Sequence, residues 1–132
     1  MIGIDTNVLL RHTLEDDAAQ SPAATAFLTD GERLDDPALV NPVALVEFCW
    51  TLGRKNFGKP DILAMLDVLM SSKRIAFTDD RAIRAAIESW RTGKADLPDY
   101  LIGHLNLQAG AAKTVTFDAT AAEYPGFSLL QV

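Results

Sequence analysis

The sequence lacks the residues and motifs on which several classes of protein depend. Its 132 residues include a single cysteine, Cys49, which excludes an internal disulfide and fits a reducing compartment. The two histidines, His12 and His104, have no ligand spacing, and no zinc pair is present. Neither a glycine-rich dinucleotide or Walker loop nor a G-x-S-x-G sequence occurs. The chemistry must therefore come from other side chains.

Basic residues and long apolar runs are also scarce. Twelve Lys and Arg against 18 Asp and Glu give a net charge of -6, which argues against a protein that coats nucleic acid by charge alone. The longest nearly uncharged stretch, residues 37–53, is interrupted by Asn41, Pro42 and Glu47, so we expect no membrane span. No basic lead precedes an apolar run at the start, so we expect a cytoplasmic protein without a secretory signal.

What the sequence does contain is a regular alternation of strand and helix patterns. Hydrophobic residues make up 48% of the chain, enough for one domain over residues 1–132. The patterns predict strands at 1–4, 38–40, 74–77, 114–117 and 127–130, and helices at 8–14, 17–28, 43–55, 60–71, 80–91 and 96–109. We therefore predict an α/β fold with a central parallel sheet of four to five strands, flanked by helices on both faces.

Two acids stand directly after predicted strands. Asp5 follows residues 1–4, which are all apolar or glycine and are expected to form a central strand, and Asp118 follows residues 114–117. Ligands of parallel sheets gather at the carboxyl ends of the strands. Either acid, taken singly, is explained equally well as a helix cap or a turn residue. Two acids at equivalent strand ends favour a functional role.

Glu47 lies in a helix that is apolar on most sides. Its own face carries Val43, Val46 and Trp50, and we expect Trp50 and Cys49 to pack in the core. A buried carboxylate without a partner costs several kcal/mol, so Glu47 is expected to meet a cation, a metal or hydrogen-bond donors, or else to be protonated. Arg54 is the structural alternative as its partner.

Asp96 and Asp99 surround the start of the last long helix. Asp96 suits the N-cap and Asp99 the third helical position, and both positions favour acids for structural reasons alone. Capping does not exclude metal binding, because an acid in the first turn has a fixed direction. We favour Asp99 as a ligand and leave Asp96 as a cap or an accessory acid.

Four segments together resemble a known family. IDTNVLLR, VALVEFCWTL, ADLPDYLIGH and TVTFDATA are similar, in order and over essentially the whole chain, to the four acidic motifs of PIN-domain nucleases. The closest resemblance is to VapC-type toxins of bacterial toxin–antitoxin pairs. It implies Asp5, Glu47, Asp99 and Asp118 as the catalytic and metal-binding quartet, with Asp96 as a further candidate ligand. Asn7 and Thr116 resemble the polar residues that support the pocket.

The resemblance also implies a function. Carboxylates without His or Cys suit Mg²⁺ or Mn²⁺, and such ions activate water for phosphodiester hydrolysis. RNA is the implied substrate, with Arg11 and Arg54 as candidate contacts, although each could be an ordinary exposed charge. A cognate antitoxin, bound near helices 43–55 and 60–71, and a homodimer are the implied partners. The alternative is a PIN-fold binding module without catalysis, which acts only through a protein partner.

A rival class of enzyme also begins with a strand followed by an aspartate. An aspartyl-phosphate phosphatase needs a second acid two residues after the first, and Asn7 occupies that position here. The lysine that such a site requires is also not evident. We therefore prefer the nuclease.

Overall fold

The computed structural model describes all of residues 1–132, which form two compact units, Met1–Thr78 and Asp79–Val132. No cis peptide bond is present. None of the helices combines the length and the apolar character that crossing a bilayer requires.

The first unit contains three parallel strands and four α-helices. Along the chain it has β1 (Ile2–Gly3), α1 (Thr6–Leu14), α2 (Gln20–Thr29), a 3-10 helix (Gly31–Leu34), β2 (Ala38–Val40), α3 (Pro42–Arg54), α4 (Lys59–Ser71) and β3 (Ile75–Phe77). The sheet order is β1-β2-β3, with Ile2 opposite Ala38 and Val40 opposite Phe77. β2 is therefore the central strand and β1 lies at an edge.

Local sequence explains where the helices of this unit begin. Asn41 accepts a hydrogen bond from the backbone N–H of Ala44, and Pro42 occupies the first turn of α3, where its missing N–H costs nothing. Pro60 plays the same part in α4. The core consists of side chains from α1, α3, α4 and β2 that are almost completely buried: Leu9, Val40, Leu45, Phe48, Leu52 and Leu66.

The second unit contains two long helices and a parallel strand pair. Its elements are α5 (Asp80–Thr92), α6 (Leu97–Gln108), β4 (Thr114–Thr116), the short helix α7 (Ala119–Ala122) and β5 (Phe127–Leu129). β4 and β5 are parallel, with Thr114 opposite Phe127. α5 packs along α6, and the core contains Ile83, Ala86, Leu97 and Leu101.

The predicted α/β class and the parallel strands are confirmed, with differences in detail. Five strands form, as a sheet of three and a sheet of two. β1 is an edge strand, so the prediction that it is central was wrong, because an apolar sequence does not reveal how many neighbours a strand has. The 3-10 helix Gly31–Leu34 and the short helix α7 are not among the predicted elements.

Candidate functional site

Asp5 stands between β1 and α1 and has a structural task. It is the N-cap of α1, and its Oδ1 accepts the backbone N–H of Thr6 at 2.7 Å. Its side chain is nevertheless on the surface. The capping alternative and a functional role are therefore compatible, because one carboxylate oxygen is engaged and the group remains accessible.

The groove beside Asp5 contains two more of the predicted residues. About 490 Å³ in volume, it is lined by Asp5, Asn7 and Arg11 on its polar side and by apolar residues that include Val8 and Phe27. Arg11 donates to Gln20 at 2.8 Å and to Asp16 at 3.0 Å. The side chain of Asn7 is exposed, and no hydrogen bond joins it to Asp5. Asp5, Asn7 and Arg11 thus share one accessible surface of the first unit.

Glu47 is exposed, so the prediction that its helix face is buried was wrong. Val43 and Trp50, on the same face of α3, are 67% and 62% exposed, and Trp50 is not a core residue. The opposite face is buried through Leu45, Phe48, Cys49 and Leu52. An apolar sequence on every side of a helix does not by itself bury every side.

The structural alternative for Glu47 is not realised. The guanidinium of Arg54 lies over the ring of Trp50, 4.8 Å from its centroid, and makes no ion pair with Glu47. Glu47 is consequently an accessible carboxylate on α3. Cys49, in contrast, is buried as expected, and burial raises the pKa of its thiol to about 12.

Asp96 and Asp99 occupy the helix start as predicted, but their roles differ. Asp96 is the N-cap residue of α6, yet its side chain makes no capping hydrogen bond and is exposed. Asp99 lies in the first turn and is half-buried. The Asp96 carboxylate is therefore not used in capping.

The pKa of Asp99 shows which charges surround it. Burial raises that pKa, and the negative charges of Asp118 and Asp96 raise it further, whereas a hydrogen bond from the Asp96 backbone opposes the rise. The negative charges of Asp118 and Asp96 thus act on Asp99. A bound cation would offset such repulsion between like charges.

Asp118 follows β4 and, like Asp5, caps a helix. Its Oδ1 accepts the backbone N–H groups of Thr120 at 2.8 Å and Ala121 at 3.3 Å, at the start of α7. Thr116 Oγ1 accepts the Asp118 backbone N–H at 3.0 Å. Thr116 therefore orients the backbone of Asp118, and the Asp118 side chain stays exposed.

These donors fit a hard divalent cation by their chemistry. All candidates are carboxylates, the ligand type that Mg²⁺ and Mn²⁺ prefer. No three Asp, Glu, His or Cys side chains within either unit lie close enough to hold an ion by themselves. Mg²⁺ commonly uses only one or two carboxylates and completes its shell with water and phosphate oxygens. In the second unit, Asp99 and Asp118 would supply two carboxylates to such an ion. In the first unit, Asp5 would supply one.

Sequence reasoning placed Trp50 in the core, whereas the structure exposes it on the same face of α3 as Glu47. Its spacing from Glu47 carried the signal, because residues three apart share a helix face and a charged residue usually marks the solvent side. The aromatic character of Trp50 nevertheless favoured a core position in the sequence analysis.

Fold and acids together define a class: a parallel α/β protein in which carboxylates follow the strands β1 and β4. The chain belongs to the PIN domain family, which matches residues 2–126. No curated protein matches the sequence. PIN domains are generally nucleases and usually depend on divalent metal ions.

Proposed function

We propose that this protein is a metal-dependent endoribonuclease, with residues 1–132 as its nuclease domain. Asp5, Glu47, Asp99 and Asp118 are its catalytic acids, and Mg²⁺ or Mn²⁺ is its cofactor. Membership of the PIN domain family supports the nuclease class. The single observation that carries the assignment is geometric: Asp5 and Asp118 follow parallel strands, cap the next helices and keep their carboxylates exposed.

The carboxylates supply the charge that makes a cation site. Asp99 and Asp118 provide accessible oxygens, and Asp96 adds a third negative charge whose side chain is not used in capping. When bound, a divalent ion stabilises the charge that develops on a scissile phosphate and activates water. Asp5 and Asp118 are held in direction by the backbone N–H groups that they accept. The protein therefore needs no nucleophile of its own.

A toxin role completes the proposal. The resemblance to VapC-type toxins favours RNA as substrate, a cognate antitoxin that blocks the acids, and a homodimer in the cytoplasm. A basic antitoxin side chain would compete with metal for the carboxylates, because both are attracted by the same negative charge. Expression of the chain alone is then expected to arrest growth, and expression of Asp99→Asn is not.

The decisive assay measures cleavage of RNA by the purified protein with Mg²⁺, with Mn²⁺ and with chelator. We expect cleavage with either ion and none with chelator. Asp99→Asn is expected to lower the rate by at least about a hundredfold, since a metal contributes several kcal/mol to the transition state. Asp35→Asn, which removes an exposed acid outside the proposed set, serves as the matched control and should cleave at the normal rate.

Two results would contradict the proposal. Cleavage that persists in Asp99→Asn would remove Asp99 from the site. A pure, folded protein that cleaves no RNA with either ion would favour the non-catalytic binding module instead.

A further inference from the structure

An exposed stripe runs along α3. It consists of Val43, Glu47, Trp50 and Arg54, which are spaced four, three and four residues apart and so share one helix face. Val43 is 67% and Trp50 62% exposed, and Glu47 and Arg54 are exposed as well. The stripe therefore presents a carboxylate, an indole and a guanidinium side by side.

Trp50 and Arg54 form a preassembled pair. The Arg54 guanidinium lies 4.8 Å from the centroid of the indole ring. This contact limits the rotation of both side chains, so less freedom is lost when a planar ligand stacks on them. The ring still remains largely open to solvent.

Positive charge follows the indole along the helix. Arg54 is the last residue of α3 and Lys55 its C-cap, and both are exposed. With a rise of about 1.5 Å per residue, Trp50 lies about 4.5 Å and Arg54 about 10.5 Å beyond Glu47 along the axis. A single strand whose phosphate lies near Glu47 can therefore place a base on Trp50 and a further phosphate at Arg54.

The composition of the stripe favours nucleic acid over protein. Trp and Arg are common at protein interfaces, but Glu and Lys are depleted there, and here Glu47 and Lys55 lie exposed beside Trp50 and Arg54. An exposed aromatic ring beside cations is the combination that binds single strands, since each base has a face that can stack and each phosphate a charge that can pair.

We propose that Trp50 is a stacking platform for a base of single-stranded RNA next to the bond that is cleaved, and that Arg54 holds the ring and contacts the following phosphate. This assignment rests on the proposed nuclease function, which places the scissile phosphate near Glu47. It gives the enzyme a means of selecting unpaired RNA despite its net negative charge.

Intrinsic fluorescence provides a direct test. The chain has two tryptophans, and Trp90 is buried, so Trp90→Phe leaves Trp50 as the only indole. A short unstructured RNA oligonucleotide, titrated with Mg²⁺ into protein that also carries Asp118→Asn to suppress cleavage, is expected to quench Trp50 saturably. Anisotropy of a labelled oligonucleotide, measured with wild type and variants, gives the affinity in parallel.

The variants separate stacking from other contacts. Trp50→Ala is expected to weaken RNA binding by about tenfold, and Trp50→Phe to stay within about threefold of wild type. Val68→Ala removes a valine that is 68% exposed on α4 and should bind like wild type. A DNA oligonucleotide of the same sequence shows whether the platform distinguishes the two sugars.

The outcomes are separable from those of the nuclease assay. Quenching together with weaker binding of Trp50→Ala supports the platform, even if the RNA is never cleaved. Normal RNA binding by Trp50→Ala, absence of quenching at saturation, or absence of RNA binding each overturns it, even if cleavage occurs. Loss of a dimer in sedimentation, with RNA binding unchanged, would assign the stripe to self-association instead.

Discussion

Single carboxylates in this protein combine a structural task with an accessible charge. Asp5 and Asp118 each accept backbone N–H groups at the start of a helix, and each remains on the surface. Fixing one oxygen by the backbone sets the direction of the other at small entropic cost. Capping and ligation are therefore not competing explanations for these acids.

The charge of Asp99 is expected to lower the stability of the metal-free protein. Because the pKa of Asp99 is raised on folding, its contribution to stability is fully present below its ordinary value of 3.8 and is lost as the pH rises through the folded pKa. Asp99→Asn removes this cost and can still accept the hydrogen bond from the Asp96 backbone. We expect a Tm that is higher by up to a few degrees at neutral pH in chelator.

Mg²⁺ provides the complementary measurement. A ligand that binds only the folded state raises Tm, so wild type should be stabilised by Mg²⁺ and Asp99→Asn much less. A Tm of Asp99→Asn below that of wild type in chelator would show that the Asp99 charge is already compensated within the protein.

His104 makes folding sensitive to mild acid. Its Nε2 lies 3.1 Å from Ser89 Oγ, which donates to the Ala85 carbonyl at 2.9 Å and is also 2.6 Å from the Tyr124 hydroxyl. Burial lowers the pKa of His104 below its ordinary 6.5, so the unfolded chain binds a proton more readily than the folded protein. The free energy of unfolding is therefore expected to fall as the pH drops through 6.5 towards the folded pKa.

Urea unfolding at about pH 7.5 and about pH 5.5 measures this dependence. His104→Gln keeps a polar donor in the cluster but cannot become charged, so its stability should fall less between the two pH values. An equal fall in wild type and His104→Gln would assign the sensitivity to other groups.

At the scale of the element, α3 shows how far sequence reasoning reaches. Its bounds were predicted to within one residue, as 43–55 against Pro42–Arg54, because the apolar pattern and the effect of a proline act over a few residues. The exposure of Glu47 and Trp50 did not follow, since it depends on which neighbours cover each face. Burial is a tertiary property, and an apolar helix face without a neighbour looks the same in sequence as a buried one.

The contact between α6 and β5 leaves no room for a larger residue at Gly103. A Cβ built there would lie 2.5 Å from ring atoms of Phe127, far inside ordinary contact. Gly103→Ala is therefore expected to destabilise the protein by about 1–3 kcal/mol, the usual range for overpacking. Chemical denaturation followed by circular dichroism measures the change.

Gly53 offers the matched control, because it also lies in a helix but a Cβ there meets nothing within 4 Å. Gly53→Ala should stabilise by about 0.5–1 kcal/mol through helix propensity alone. Destabilisation of similar size in both variants would contradict the proposed clash.

At the scale of the whole molecule, the α/β class and the parallel strands were predictable from the alternation of patterns. The division into sheets of three and two strands was not, because strands of two or three residues carry too little pattern to specify their neighbours. Asp96, Asp99 and Asp118 could be singled out as acids in sequence, but their mutual electrostatic effect depends on tertiary packing. The position of Asp5 at the carboxyl end of a parallel strand was predictable, and the edge position of that strand was not.

The only thiol of the molecule can be used to measure local unfolding around α3. Cys49 is enclosed in α3, and its pKa of about 12 keeps it protonated and unreactive in the native state. Maleimide or iodoacetamide should therefore modify the protein only as fast as α3 leaves its packing, and the labelling rate should rise steeply with urea. Fast labelling under native conditions, without any urea, would mean that the first unit unfolds locally far more often than its buried core suggests.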